Sequence, residues 1–359
     1  SIETGNPAWQ VVQWTLWRLP VVRLYGYDSY IRVMYVMVVA VVLAVLGLVA
    51  LTVAMRKQEQ SKWFRKAAAV MHVVYDVMFI VLYVAFFDYF VFAANCNFTM
   101  TVKDHVHFTG VMCFEMPHLL HLSVALATAI ILLGVTALMI VASSELNPVS
   151  RIYLASPSAA TRLKTLAARA AYVGAAAGFR CWPKPQAVTM AIAVGMVCWW
   201  NFRRLPFYRP DVNIVWCGMW SGILFTAIMH AVMVFAKDRS SSEQHRRDST
   251  ILVLRLIFPV AAAGSSLCAL LSWQVMRPAK KFVNLDPAVK IQRIHKFDGV
   301  QEVETLSRVM RKFDQDGIVD QEAAALGETI IKAGMRLLPS SPFLLILYAN
   351  FLLDVRKDG

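Results

Sequence analysis

His72 and Asp76 stand four residues apart in an apolar run from Ala67 to Ala94. On a helix that spacing sets an imidazole and a carboxylate on one face, and Tyr83 continues it. Ionisable groups are costly in hydrocarbon, so the pair is a candidate for ion or proton passage or for partnering a buried cation. Arg255, in a later apolar run, is such a cation, and the plain reading is an acid paired inside a helix bundle. Asp88 lies on the same run as Asp76, nearer its end and turned away from it.

A second titratable group follows. His105, His107, His118 and His121 make up half of the eight histidines and fall in or beside one short loop. Imidazole titrates near pH 6.5 and ligates transition metals, so the chemistry available is pH sensing or a zinc or copper site. The plain alternative is a set of solvated loop histidines, and no resident metal or cofactor is expected. Cys96 and Cys113 bracket the loop, which invites a disulfide if it faces an oxidising compartment. Asn97-Phe98-Thr99 is a sequon, so Asn97 is a candidate for glycosylation on that side.

Other chemistry is excluded by spacing. Asp314-Gln-Asp316-Gly317 resembles a calcium loop, but Lys312 and Ala323 occupy the two positions that need anchoring carboxylates. It reads as a turn between helices. No phosphate loop, nucleophile elbow, zinc-protease motif or dinucleotide fingerprint is present, so the chain is expected not to be an enzyme.

The elements that must position these residues are helices in a bilayer. Hydrophobic residues make up 58% of the chain and charged ones only 16%, with a mean hydropathy of +0.53. That is far more apolar than a soluble domain. The net charge of +13 is gathered in loops beside apolar runs, as the positive-inside bias requires, and no basic, aromatic-laced domain suggests nucleic acid. The expected class is all-α: a polytopic transmembrane bundle of five to six spans over residues 1–276, then a short soluble helical-repeat segment over 277–359. Spans are expected near 31–55, 67–94, 118–142, 187–202, 214–236 and 250–276, since a crossing takes about 20 apolar residues. Cys198, Cys217 and Cys268 fall within such runs and read as small packed hydrophobes.

Asn147 to Gln186 holds six cations and no acid, with Leu163, Leu166, Ala170 and Val173 at helical spacing. It reads as a cationic amphipathic helix on the inner leaflet. In the tail, Val303, Leu306, Met310 and Phe313 mark one amphipathic helix, Leu326 to Leu337 a second, and Pro342 to Val355 a third, with Leu345, Tyr348 and Leu352 expected to be buried. Starting at Ser1 and stopping at Gly359 just past a helix, the sequence reads as a fragment without a signal peptide.

Three stretches carry a resemblance: Arg56-Lys-Gln-Glu-Gln-Ser-Lys-Trp63, Leu205-Pro206-Phe207-Tyr208, and Pro339-Ser-Ser-Pro-Phe-Leu-Leu-Ile-Leu-Tyr348-Ala-Asn-Phe351. In order and type they resemble the tiny-macrocysts protein B-like family, in which a polytopic region precedes tetratricopeptide-like helices and often a PAS sensor domain. The resemblance covers most of the chain and implies a membrane-anchored sensory or scaffolding role with no active site. Partners would be the bilayer and proteins recruited by the C-terminal helices, with the oligomeric state left open. The other class of function is an ion or proton channel or transporter using Asp76 and the outer histidines.

Topology is where these readings collide. With the cysteine loop outside and all six runs crossing, the tail lands outside, although Arg277, Lys280 and Lys281 belong inside. Ala187 to Trp200 is only fourteen residues, about 21 Å of helix against a core about 30 Å thick. A segment that dips in and returns would keep the tail in the cytosol; a tilted crossing would not.

Overall fold

The computed structural model describes residues 26–56, 70, 75, 78–79, 82–98, 104–145, 147–150, 152, 155–236, 243–283, 295–314 and 319–356. His72 and Asp76 lie outside the described residues. The described chain is helical, with isolated bridges such as Cys96 to His105 in place of strands.

Among the described residues ten helices follow in order: α1 (Gly26–Arg56), α2 (Tyr83–Val91), α3 (His118–Ala142), α4 (Ala159–Gly178), α5 (Pro183–Arg204), α6 (Pro210–Ala236), α7 (Glu243–Met276), α8 (Val300–Ser307), α9 (Gln321–Leu337) and α10 (Pro342–Phe351). Among the described residues four stretches are long and apolar enough to cross a membrane: Gly26–Ala54, His118–Ala142, Pro210–Ala236 and Thr250–Phe282. Their surfaces invert the soluble pattern. Val36 is 68% exposed, Ile130 71% and Phe258 79%, and contiguous apolar surface of this kind calls for a lipid or protein cover.

The chain divides into two units. The first joins residues 1–142 to 166–190. Its core is a stripe of α1 (Tyr30, Met34, Val41, Ala44) against Phe87 and Phe90 of α2 and Leu122, Ala125, Ala129 and Leu132 of α3. The spacing of four, seven and three along α1 is one helical face, flanked by half-buried residues such as Tyr35, Val38 and Val45, while Val36, Val39, Leu43 and Leu46 turn outward. Backbone carbonyls add polar ties where no water would serve. Tyr30 donates to the carbonyl of Tyr89 at 2.9 Å, Tyr89 donates back to that of Tyr30 at 3.1 Å, and Tyr75 donates to Ala44 at 2.9 Å.

The stretch expected to lie on the inner leaflet behaves differently. It forms α4, whose far half is buried at Leu166, Ala168, Val173, Ala175 and Ala177, with Val173 inside the core of the first unit. The buried positions are mostly alanine, and Arg169 turns its guanidinium to the hydroxyl of Tyr83 at 3.4 Å. The segment expected as fourteen residues also differs. It extends through Lys184 at one end and Arg203-Arg204 at the other into the 22-residue α5, about 33 Å of continuous helix. It does not turn back on itself.

The second unit joins residues 143–165 to 191–359. Here α6 and α7 pack side by side, and a 3₁₀ turn (Arg277–Phe282) leads to the tail. Phe282, Phe297, Val303, Leu306, Met310, Ile330, Ile331, Leu344, Leu347 and Phe351 form the tail core. Asp320 caps α9 by accepting the amide of Glu322 at 2.9 Å; the expected turn at Asp316-Gly317 lies outside the described residues. The register of α10 is one residue off the expectation. Leu344, Leu347 and Phe351 are buried, whereas Leu345 is exposed and Tyr348 and Leu352 are half-buried. The first tail helix is also shorter than expected, ending at Ser307 with a 3₁₀ turn to Met310, and leaves Phe313 exposed.

Candidate functional site

The first unit ends in a cap made by the loop from Asn95 to Pro117. Cys96 and Cys113 are disulfide-bonded, with Cα atoms 6.0 Å apart. The loop closes through paired backbone contacts, Asn97 N–H to Asp104 and His105 N–H to Val111 at 2.9 and 2.8 Å.

All four loop histidines are engaged by protein groups. His105 Nε2 donates to the carbonyl of Phe92 (3.2 Å), and its Nδ1 accepts the amide of His107 (3.2 Å). His118 Nε2 donates to Ala93 O (3.1 Å), which leaves Nδ1 to accept the Tyr27 hydroxyl (2.8 Å). His121 Nδ1 meets Tyr35 OH at 2.9 Å. His107 Nε2 accepts from the Arg180 guanidinium. A metal needs a free imidazole lone pair, and at His105 and His118 both ring nitrogens are already bonded. Among the described residues the one metal-like grouping is Cys96, Cys113 and His118, and its two sulfurs are joined to each other. His105 and His118 are buried tethers to the end of α2, His118 and His121 tie α3 to α1, and half-buried His107 meets Arg180.

Burial pushes the imidazole of His105 down to about 4, reinforced by His118 and Arg180 and opposed by its bond to Phe92. The unfolded ring, near 6.5, therefore takes up a proton before the folded one does. Stability contributed by neutral His105 is complete above about pH 6.5 and is lost progressively as pH falls toward 4, by on the order of 3 kcal/mol. Hydrogen-exchange protection of the cap should fall through that window. In His105→Gln the pH dependence should flatten; an unchanged profile would show that another group sets it.

Beside these rings lies a cavity of about 510 Å³, lined by Tyr27, Phe92, His107 and Phe108 with Gly26, Thr109 and Val111. His107 stacks on Phe92 with centroids 4.9 Å apart. The end of α4 reaches this same cap. Cys181 Sγ lies 3.6 Å from both Cys96 O and Asn97 Oδ1, and Trp182 stacks parallel to Phe98 at 6.3 Å. Asn97 is thus half-buried against Cys181. Asp88 is half-buried near the cap end of α2, and Arg255 is exposed on α7.

The second unit holds a polar assembly that the sequence reading missed. The connection after α3 and the Leu205–Arg209 hinge are stitched together by Ser156 Oγ to Pro206 O (2.7 Å), Tyr208 N–H to Ala155 O (3.1 Å) and Tyr208 OH to Glu145 O (3.1 Å). Leu205 takes a left-handed φ of 42°, a conformation that costs an L residue about 1–2 kcal/mol. Two tail arginines close over this platform. Arg308 donates to Leu205 O and Phe207 O at 2.8 and 2.7 Å while gripping Glu304 through two bonds of 2.9 and 2.8 Å. Arg311 donates to Pro148 O and Ser150 O at 2.7 and 2.6 Å, and its guanidinium lies 4.7 Å over the Tyr208 ring. Planar five-donor guanidinium suits this use in a way that lysine does not. The Glu304–Arg308 spacing of four was the only sequence signal for it.

No family model matches the chain, and no curated protein or solved structure does.

Proposed function

We propose that the chain is a multi-pass membrane protein of a sensory or scaffolding kind, not an enzyme, whose C-terminal helices stand in the cytosol and recruit protein partners. The observation that carries this reading is the arginine clamp. Arg308 and Arg311 fasten the tail helices to the two loops that follow α3 and α5. A change in the helix ends would reach the tail directly. The cap cavity offers a receptive surface for a sensor, and the resemblance in the hinge and tail motifs points the same way.

The reading includes seven crossings, with the cap outside. The path of the chain supports it. α4 starts where Arg162 meets Ser143, just past the end of α3, at 3.2 Å, and finishes against the disulfide cap that precedes α3. Its 20 residues cover about 30 Å, the thickness of a bilayer core. α5 begins at the cap and returns to the hinge. Adding α4 as a crossing puts Arg203, Arg204, Arg277, Lys280 and Lys281 inside together with the tail, so no span need be sacrificed to the positive-inside rule.

Single-cysteine labelling of intact cells with an impermeant maleimide tests the topology, using a Cys181→Ser background. Lys184→Cys and Ser241→Cys should label, and Ser340→Cys only after permeabilisation. Labelling of Ser340→Cys in intact cells, or none at Lys184→Cys, defeats the seven-crossing path. The functional reading is tested separately by ion and proton flux in proteoliposomes. Flux abolished by Asp76→Asn would replace it with the channel reading. Proximity labelling from the C-terminus should in turn give a neighbour set that changes in Arg311→Ala while membrane insertion does not.

A further inference from the structure

We propose that the second unit carries a binding belt for anionic phospholipid headgroups, built from three tryptophan–cation pairs at the edge where α5 and α7 end. Arg277 lies 3.5 Å over the Trp273 ring, Arg203 5.7 Å over Trp199, and Lys164 5.9 Å over Trp200. The inference rests on the reading of this edge as the cytosolic membrane interface. Three features argue for it. Tryptophan favours the headgroup level, where an apolar ring meets water, and Trp199 and Trp273 are 61% and 56% exposed. A guanidinium laid on an indole face keeps its N–H edge free to meet phosphate oxygens. The sequence around the Trp199 and Trp273 pairs is also free of acid. Arg204, Lys280 and Lys281 are exposed beside them, residues 199–210 and 273–283 contain no acid, and Asp211 is held by two bonds from Arg209 at 3.0 and 2.7 Å. Clusters of cations at a cytoplasmic membrane edge attract anionic lipid. Here the indoles add a fixed depth for each charge.

The test uses the full chain in nanodiscs of phosphatidylcholine alone or mixed equally with phosphatidylserine. Native mass spectrometry counts retained lipid, and the thermal midpoint reports folding. Wild type should retain phosphatidylserine several-fold over phosphatidylcholine. Arg203→Gln/Arg277→Gln should lose that preference while keeping its midpoint in pure phosphatidylcholine, whereas Lys184→Gln should behave as wild type. Equal preference in wild type and the double variant would overturn the proposal. Should the double variant misfold, the salt dependence of wild-type retention decides instead. The preference should shrink as ionic strength rises, and indifference to salt would overturn it. Millimolar inorganic phosphate should not displace the lipid; displacement would assign the cations to a soluble phosphate and overturn the lipid reading. Failure of this preference alongside the predicted labelling pattern would leave the topology standing.

Discussion

Replacing Arg308 by alanine should free the tail helices from their platform, at a cost of about 3–5 kcal/mol, the range for breaking a buried ion pair on one side. Both partners are nearly dry, with side chains 8% and 7% exposed for Arg308 and Glu304. The loss would have two parts. Glu304 would be left as a buried carboxylate without its bidentate partner, the carbonyl of Leu205 would lose its donor, and that of Phe207 would keep only the Asn213 amide at 2.7 Å. Each unmade bond to a buried group costs about 1–3 kcal/mol. Neutralising both ends, as in Glu304→Gln/Arg308→Met, should be milder, since no uncompensated charge remains. The measurement is denaturant-dependent proteolysis of the tail in nanodiscs. A tail as protease-resistant in Arg308→Ala as in wild type would mean that apolar packing alone holds it, and the clamp could not transmit anything.

The contrast between what the sequence revealed and what it hid has a physical cause at each point. The disulfide was legible because Cys96 and Cys113 share one short loop. The long apolar runs of α1, α3, α6 and α7 were legible because they are dense in valine, leucine, isoleucine and alanine. α4 was legible as a helix from Leu163, Leu166, Ala170 and Val173 but not in its burial, because its apolar content is mostly alanine and it carries Arg162, Lys164 and Arg169. Hydropathy sums side-chain transfer and cannot know that Arg169 meets the Tyr83 hydroxyl. α10 failed differently. It is apolar nearly all round, so periodicity named no face, and the choice between Leu344 and Leu345 fell to packing. The histidines show the limit most plainly. Their clustering drew attention to the cap, but a ring that ligates metal and a ring that bonds Phe92 O or Ala93 O are the same letter.

The second large effect is expected where α6 and α7 meet. A methyl group added at Gly218 would stand 2.7 Å from the carbonyl oxygen of Ala261, 3.3 Å from Ser265 Cβ, and in collision with Ser265 Oγ. At Gly264 it would press into Ser221 Oγ and, at 2.5 Å, Ser221 Cβ. At Gly222 the nearest atoms are Ile257 Cγ1 at 3.3 Å, Ile257 O at 3.5 Å and Ala261 Cβ at 3.6 Å, so an added methyl asks for a shift of only a few tenths of an ångström. Small residues of this kind let helices in a bilayer approach until backbones touch, where van der Waals contact replaces the missing hydrophobic drive. Ser265 uses the closeness, donating across to Ile214 O at 3.1 Å. Gly218→Val should therefore force the backbones apart and lower stability by about 1–3 kcal/mol, the usual range for overpacking, while Gly222→Ala should change it by well under that. Because α6 begins just past the hinge and α7 runs into the turn before the tail, the effect should not stay local. Thermal unfolding of the reconstituted variants checks the ranking, and tail proteolysis in Gly218→Val checks the reach. If Gly218→Val and Gly222→Ala unfold together with wild type, the close approach of these helices contributes nothing that the bilayer does not already supply.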